Sequence, residues 1–115
     1  MIHLLYIKAT STQLAEMLEK LETYVKVAVD VERAILAGGG GMHADCEEVL
    51  LENGSIQTNV WGADWLPQTQ QVTFESLINI RPRENNPAMK ILDTELLVRA
   101  EKIVRYWLSE ILLVH

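Results

Sequence analysis

His43, Asp45 and Glu47 stand two residues apart in the segment MHADCEEVLLE. An imidazole and two carboxylates supply three lone-pair donors without a thiolate, a ligand set suited to zinc, manganese or iron. On a β-strand that spacing projects all three from one face, about 7 Å apart along it. Asp30 and Glu32 share a side of the preceding alternating segment, and Glu75 sits in a later one. A metal-dependent hydrolase or lyase would hold a divalent transition metal on His43, Asp45 and Glu47, with Asp30, Glu32 or Glu75 as general base. The same alternation equally describes a solvated face of an antiparallel sheet, which needs no cofactor.

Two further groupings bear on binding. Trp61, Asp64 and Trp65 in WGADW set aromatic faces beside a carboxylate, suited to stacking on a base, a sugar or a partner's cation. They also fit a loop stapled to the core by Trp65, with Trp61 at a subunit interface. Asn79, Arg81 and Arg83, with Asn85 and Asn86, make the one basic, hydrogen-bond-rich stretch. Its arginines fork onto a carboxylate or phosphate, or neutralise the acidic face through Glu75 or Asp64. Cys46 differs in strand parity from His43 and shares a side with Met42, Ala44 and Leu50, which reads as a small buried hydrophobe. The run Gly38–Gly41 lacks the following helix and Gly-Lys-Ser/Thr of a phosphate loop, and reads as a hairpin or wide turn.

These residues need elements to hold them. Val25, Val27, Val29 and Val31 alternate with Lys26, Asp30 and Glu32, the signature of a strand with one apolar and one polar face. A short buried strand over residues 2–8 precedes it. Thr10 with Gln13 has capping-box spacing for a helix over 11–22. Strand, helix, strand suits a parallel crossover or a pair not adjacent in the sheet. Met42–Glu52 and Ser55–Trp61 predict a hairpin about Asn53-Gly54, and a bulged three-residue loop segregates its faces best. A last strand spans Gln71–Arg81, the loop RPRENNP follows, and Asp93 or Thr94 caps a helix over 93–113. Its wide apolar arc, from Leu96 to Leu112, hints at a second burial partner. The expected architecture is a single α+β domain over residues 1–115. It is a two-layer sandwich, with a mainly antiparallel sheet of four to five strands and two helices packed on one face.

Composition removes several function classes. Ten basic against 16 acidic residues give a net charge of −6, which opposes general attraction to nucleic acid or anionic lipid. A single cysteine excludes an internal disulfide and the cysteine-rich zinc patterns. No run approaches the roughly 20 apolar residues that span a bilayer, and MIHLLYIKAT lacks the basic start of a signal peptide. The expected compartment is the cytoplasm.

The stretches VAVDVERAILAGGG, MHADCEEVLLENGSIQTNVWGADWLP and FESLINIRPRENNPAMKILD together resemble a small bacterial family, common in cyanobacteria, known only as a domain of unknown function. The resemblance runs from about Tyr24 to the closing helix. It implies a compact protein with no established activity and carries over no catalytic residues. The reading is therefore a non-catalytic binding or interaction domain that binds a protein partner or self-associates. The metal-dependent enzyme is the alternative.

Overall fold

A computed structural model describes residues 1–111. The chain opens with β1 (His3–Leu5) and α1 (Ser11–Met17), whose capping box is formed as expected. Gln13 N–H donates to Thr10 Oγ1 at 3.1 Å, and Thr10 N–H to Gln13 Oε1 at 2.9 Å. There follow β2 (Val25–Asp30), β3 (Ile35–Gly40), α2 (His43–Glu52), β4 (Val60–Leu66), β5 (Gln71–Thr73) and α3 (Thr94–Leu108). The strands form one open antiparallel sheet in the order β1-β3-β2-β4-β5, so the architecture is the expected α+β one. β3 separates β1 from β2, which realises the non-adjacent alternative for the opening.

Alternation along the central strands feeds two cores. Val25, Val27, Val29, Leu36, Trp61, Ala63 and Trp65 pack with Leu14 and Met17 of α1 and with Ala100, Ile103, Val104 and Leu108 of α3. Ala28, Ile35, Ala37 and Val60 face the other way, onto Cys46 and Leu50 of α2. The two expected helices thus share one face, and α2 covers the other. That third layer overturns the expectation of a polar sheet face: Asp30 is fully buried and Lys26 is partly covered.

The expected strand at Met42–Leu50 is a helix. Its buried positions are His43, Cys46 and Leu50, three and four residues apart, a helical period hidden beneath the polar alternation. Nor is Asn53-Gly54 a hairpin turn. Gly54 adopts φ 97°, its N–H donates to Leu51 O at 3.1 Å, and Ser55 N–H reaches Leu50 O at 3.0 Å. Those two bonds are a Schellman stop that satisfies the last carbonyls of α2.

The glycine run is not a turn either. Gly39, at φ 109°, is the extra residue where pairing to β2 shifts between Val27↔Gly38 and Lys26↔Gly40. A Cβ on Gly40 would stand 3.1 Å from Asp45 Cβ and 3.2 Å from Cys46 Sγ, so glycine there lets α2 lie close on the sheet. The chain reverses earlier, at Val31–Ala34, so Val31 and Glu32 of the expected strand lie in the turn. Glu32 and Arg33 N–H groups both donate to Asp30 Oδ1 at 3.0 Å and close that turn.

Of the expected strand Gln71–Arg81, only Gln71–Thr73 joins the sheet. Beyond it a side chain substitutes for a ladder: Gly62 N–H donates to Asn79 Oδ1 at 2.8 Å, and Asn79 Nδ2 donates to Gly62 O at 3.0 Å. Asp93 caps α3 as expected, accepting from Leu96 N–H. The part of the expected helix beyond residue 111, Leu112 included, lies outside the described residues. Among the described residues no helix is long and apolar enough to cross a membrane.

Candidate functional site

His43 opens α2 and is only 8% exposed. Its Nε2 lies 2.8 Å from Asp64 Oδ1 and 3.0 Å from the carbonyl oxygen of Ala63. A carbonyl and an ionised carboxylate only accept, so Nε2 carries a hydrogen. Among the described residues Nδ1 has no hydrogen-bond partner. Asp64 is braced in turn, since Thr73 Oγ1 donates to its Oδ2 at 3.3 Å.

Strand register sets the surroundings. Lys26 on β2, Asp64 on β4 and Thr73 on β5 are successive cross-strand partners on the face that α2 covers. Opposite charges directly across a ladder ordinarily attract. Here Asp64 turns to His43, and Lys26 has no carboxylate within ion-pair distance among the described residues. A cleft of about 310 Å³ opens at this point. Tyr24, Lys26, His43, Asp64, Glu75 and Ser76 supply its polar lining, and Met42, Leu77 and Met89 its apolar rim. Met42 and Leu77 are 58% and 70% exposed and set apolar surface beside the polar lining. Glu75 is exposed and makes no hydrogen bond or ion pair among the described residues. A neighbouring hollow of about 480 Å³, beside Phe74, Lys90 and Leu97, shares Asp64 and Glu75.

Residues 3–107 match the family described as Protein of unknown function (DUF5674). The chain belongs to that family. No curated protein and no solved structure matches it significantly.

The remaining sequence candidates of this DUF5674 protein are dispersed. In helical α2, Asp45 sits about 200° around from His43 and turns back to accept Met42 N–H at 3.2 Å. Glu47 lies one turn on from His43, but its Oε2 is 3.7 Å from Arg81 Nη2. The proposed ligand trio is therefore split. Among the described residues no three His, Cys, Asp or Glu side chains group in a way that could hold a metal ion. Asp30 is committed to its turn, and exposed Glu32 lies 3.4 Å from Arg99 Nη2. Trp65 is fully buried, so it is the core staple. Trp61 is buried too, correcting its expected place at a stacking surface or a subunit interface, and Arg81 Cζ lies 4.2 Å from its ring centroid.

Arg81 is not a ligand fork. Its Nε donates to Ile78 O at 2.9 Å, Nη1 to Gln57 O at 3.2 Å and Nη2 to Val60 O. Burial lowers its guanidinium from the usual range, with Glu84 and Glu47 pulling the other way. Asn79 is likewise consumed by the backbone, and Arg83 is exposed. Burial pushes the Cys46 thiol up to about 11, against hydrogen bonds from Gly40 and Gly39 that favour the thiolate. It is a packing residue and not a nucleophile.

Sequence reasoning found His43, Asp64 and Glu75 but missed Tyr24, Met42, Ser76, Leu77 and Met89 as neighbours in one cleft. One signal was readable: His43, Cys46 and Leu50 followed by Asn-Gly is a helix with its stop, and that helix begins where His43 meets Asp64.

Proposed function

We propose that this DUF5674 protein is a binding domain whose ligand seat is the cleft at the N-terminus of α2. The observation that carries this reading is a ring of solvent-exposed Met42, Leu77 and Met89 around His43, Lys26 and Glu75, which keep unpartnered polar atoms. Pockets for small molecules combine an apolar wall with a few convergent polar groups in this way. A metal-dependent hydrolase needs three ligands and an open position, and the trio that suggested one is divided between Asp64, Met42 and Arg81. A small-fragment panel titrated into the ¹⁵N-labelled protein should move the amides of His43, Ala44, Asp64 and Ser76 together. Hits that map elsewhere, leaving those amides still, would sink the reading.

Self-association is a second reading, favoured by the outer side of α3. Tyr106 is 72% exposed there, beside a groove lined by Ala34, Lys102, Ile103 and Trp107. Light scattering that finds a strict monomer at tens of micromolar, an order at which weak interfaces still assemble, removes it.

A further inference from the structure

The cleft holds charges of both signs that do not neutralise each other. Lys26, Asp64 and Glu75 follow the strand order from β2 across β4 to the segment after β5, so a cationic end faces an anionic end. Lys26 and Glu75 are unpaired among the described residues, although an unlike partner lines the same hollow. The α2 N-terminus lies on the same cleft as Lys26; Asp45 Oδ2 takes up Met42 N–H and Met42 O takes up Asp45 N–H, which leaves the His43 and Ala44 amides of the first turn. His43 is more than nine-tenths buried and lines the same cleft, its Nδ1 without a hydrogen-bond partner among the described residues. At about 310 Å³ the space is at the small end of ligand pockets, suited to a metabolite and not to a folded partner.

We infer that the ligand is a free α-amino acid with an apolar side chain. This rests on the binding reading above and names its ligand class. The carboxylate sits against Lys26 and the His43 and Ala44 amides of α2, as anions do at helix N-termini. The ammonium donates to the carboxylates of Glu75 and Asp64, which are acceptors. The side chain lies on Met42, Leu77 and Met89, whose flexible thioethers and leucine adapt to its shape. A ligand with one charge leaves either Lys26 or Glu75 desolvated without a partner, so both charges are selected.

Titration of the full chain with L-leucine, L-leucinamide and N-acetyl-L-leucine, followed by ¹H–¹⁵N spectra, tests this directly. Leucine should shift the amides of His43, Ala44 and Asp64, with the two blocked analogues at least about tenfold weaker. Lys26→Met should make leucine no better than leucinamide, and Glu75→Gln no better than N-acetyl-leucine. Equal affinity for all three compounds overturns the inference, as does the absence of any leucine shift at millimolar concentration. If leucine fails while uncharged fragments still move those amides, the ligand class falls and the binding cleft stands. If no compound moves them, both fall.

Discussion

The α2-facing side of β4 carries two polar regions that differ in how their atoms are used. At the Val60 end, Arg81 spends Nε, Nη1 and Nη2 on three backbone carbonyls, stacks on Trp61 and lies near Glu47 and Glu84. Asn79 and Asn86 are spent in the same way, Asn86 Nδ2 reaching Asn79 O at 2.7 Å. At the Asp64 end, four residues along the strand, Lys26, Glu75 and His43 Nδ1 remain open beside exposed apolar side chains. Polar side chains are therefore bonded out at one end and left open at the other, and the binding reading proposed above rests on the open end. Commitment of the donors to backbone carbonyls separates the two regions, since a buried donor left unbonded is costly.

The comparison breaks most visibly at Arg81. Arg81→Met strands the carbonyls of Gln57, Val60 and Ile78 and removes the charge beside Glu47. A loss of about 3–5 kcal/mol is expected, a drop in Tm on the order of 10 °C or more. A melt within a degree or two of the parent would show that this end is not scaffold. Gly62→Ala comes next, since its Cβ would stand 2.5 Å from Ser76 Oγ. Urea denaturation should register a cost of about 1–3 kcal/mol, mostly relieved by adding Ser76→Gly. An additive double variant would contradict the steric account.

Cys46, on the buried face of α2, gives a pH test. Its native thiol keeps the proton to about 11 while the unfolded thiol ionises near 9.0. Between these values the unfolded state binds fewer protons, so the thiol's contribution is intact below pH 9 and declines as pH rises, by up to about 1.4 kcal/mol per unit. Stability measured from pH 8 to 11 should therefore fall more steeply in the parent than in Cys46→Ala. Parallel curves would mean the thiol is not held protonated. The smallest effect belongs to the open end: Lys26→Met and Glu75→Gln should each leave stability within about 0.5 kcal/mol. A loss beyond about 1 kcal/mol in either would make the cleft charges structural and erase the contrast.

Much of this arrangement was legible along the chain. The valine alternation of β2, the capping box at Thr10 and Gln13, and the Asp93 cap of α3 all rest on contacts within a few residues. The α2 segment was misread because HADCEEVLLE satisfies two periods at once. Its polar residues alternate, while its buried ones recur at three and four. Asn53-Gly54 was ambiguous for a related reason, since glycine at positive φ closes hairpins and stops helices alike. The glycine run looked like a turn because its cause, the close approach of α2 at Gly40 and the bulge at Gly39, lies outside the segment.

By itself the sequence determined the α+β character, the acidic charge that opposes nucleic acid, and the presence of His43, Asp64 and Glu75 as ionisable candidates. Those properties depend on composition and on short-range periodicity. Only the tertiary structure decided which candidates meet. His43 is 21 positions from Asp64, and Arg81 is 21 from Val60. Whether a charge is bonded out or left open depends on which strands and helix ends the fold sets side by side, and a linear pattern does not encode that.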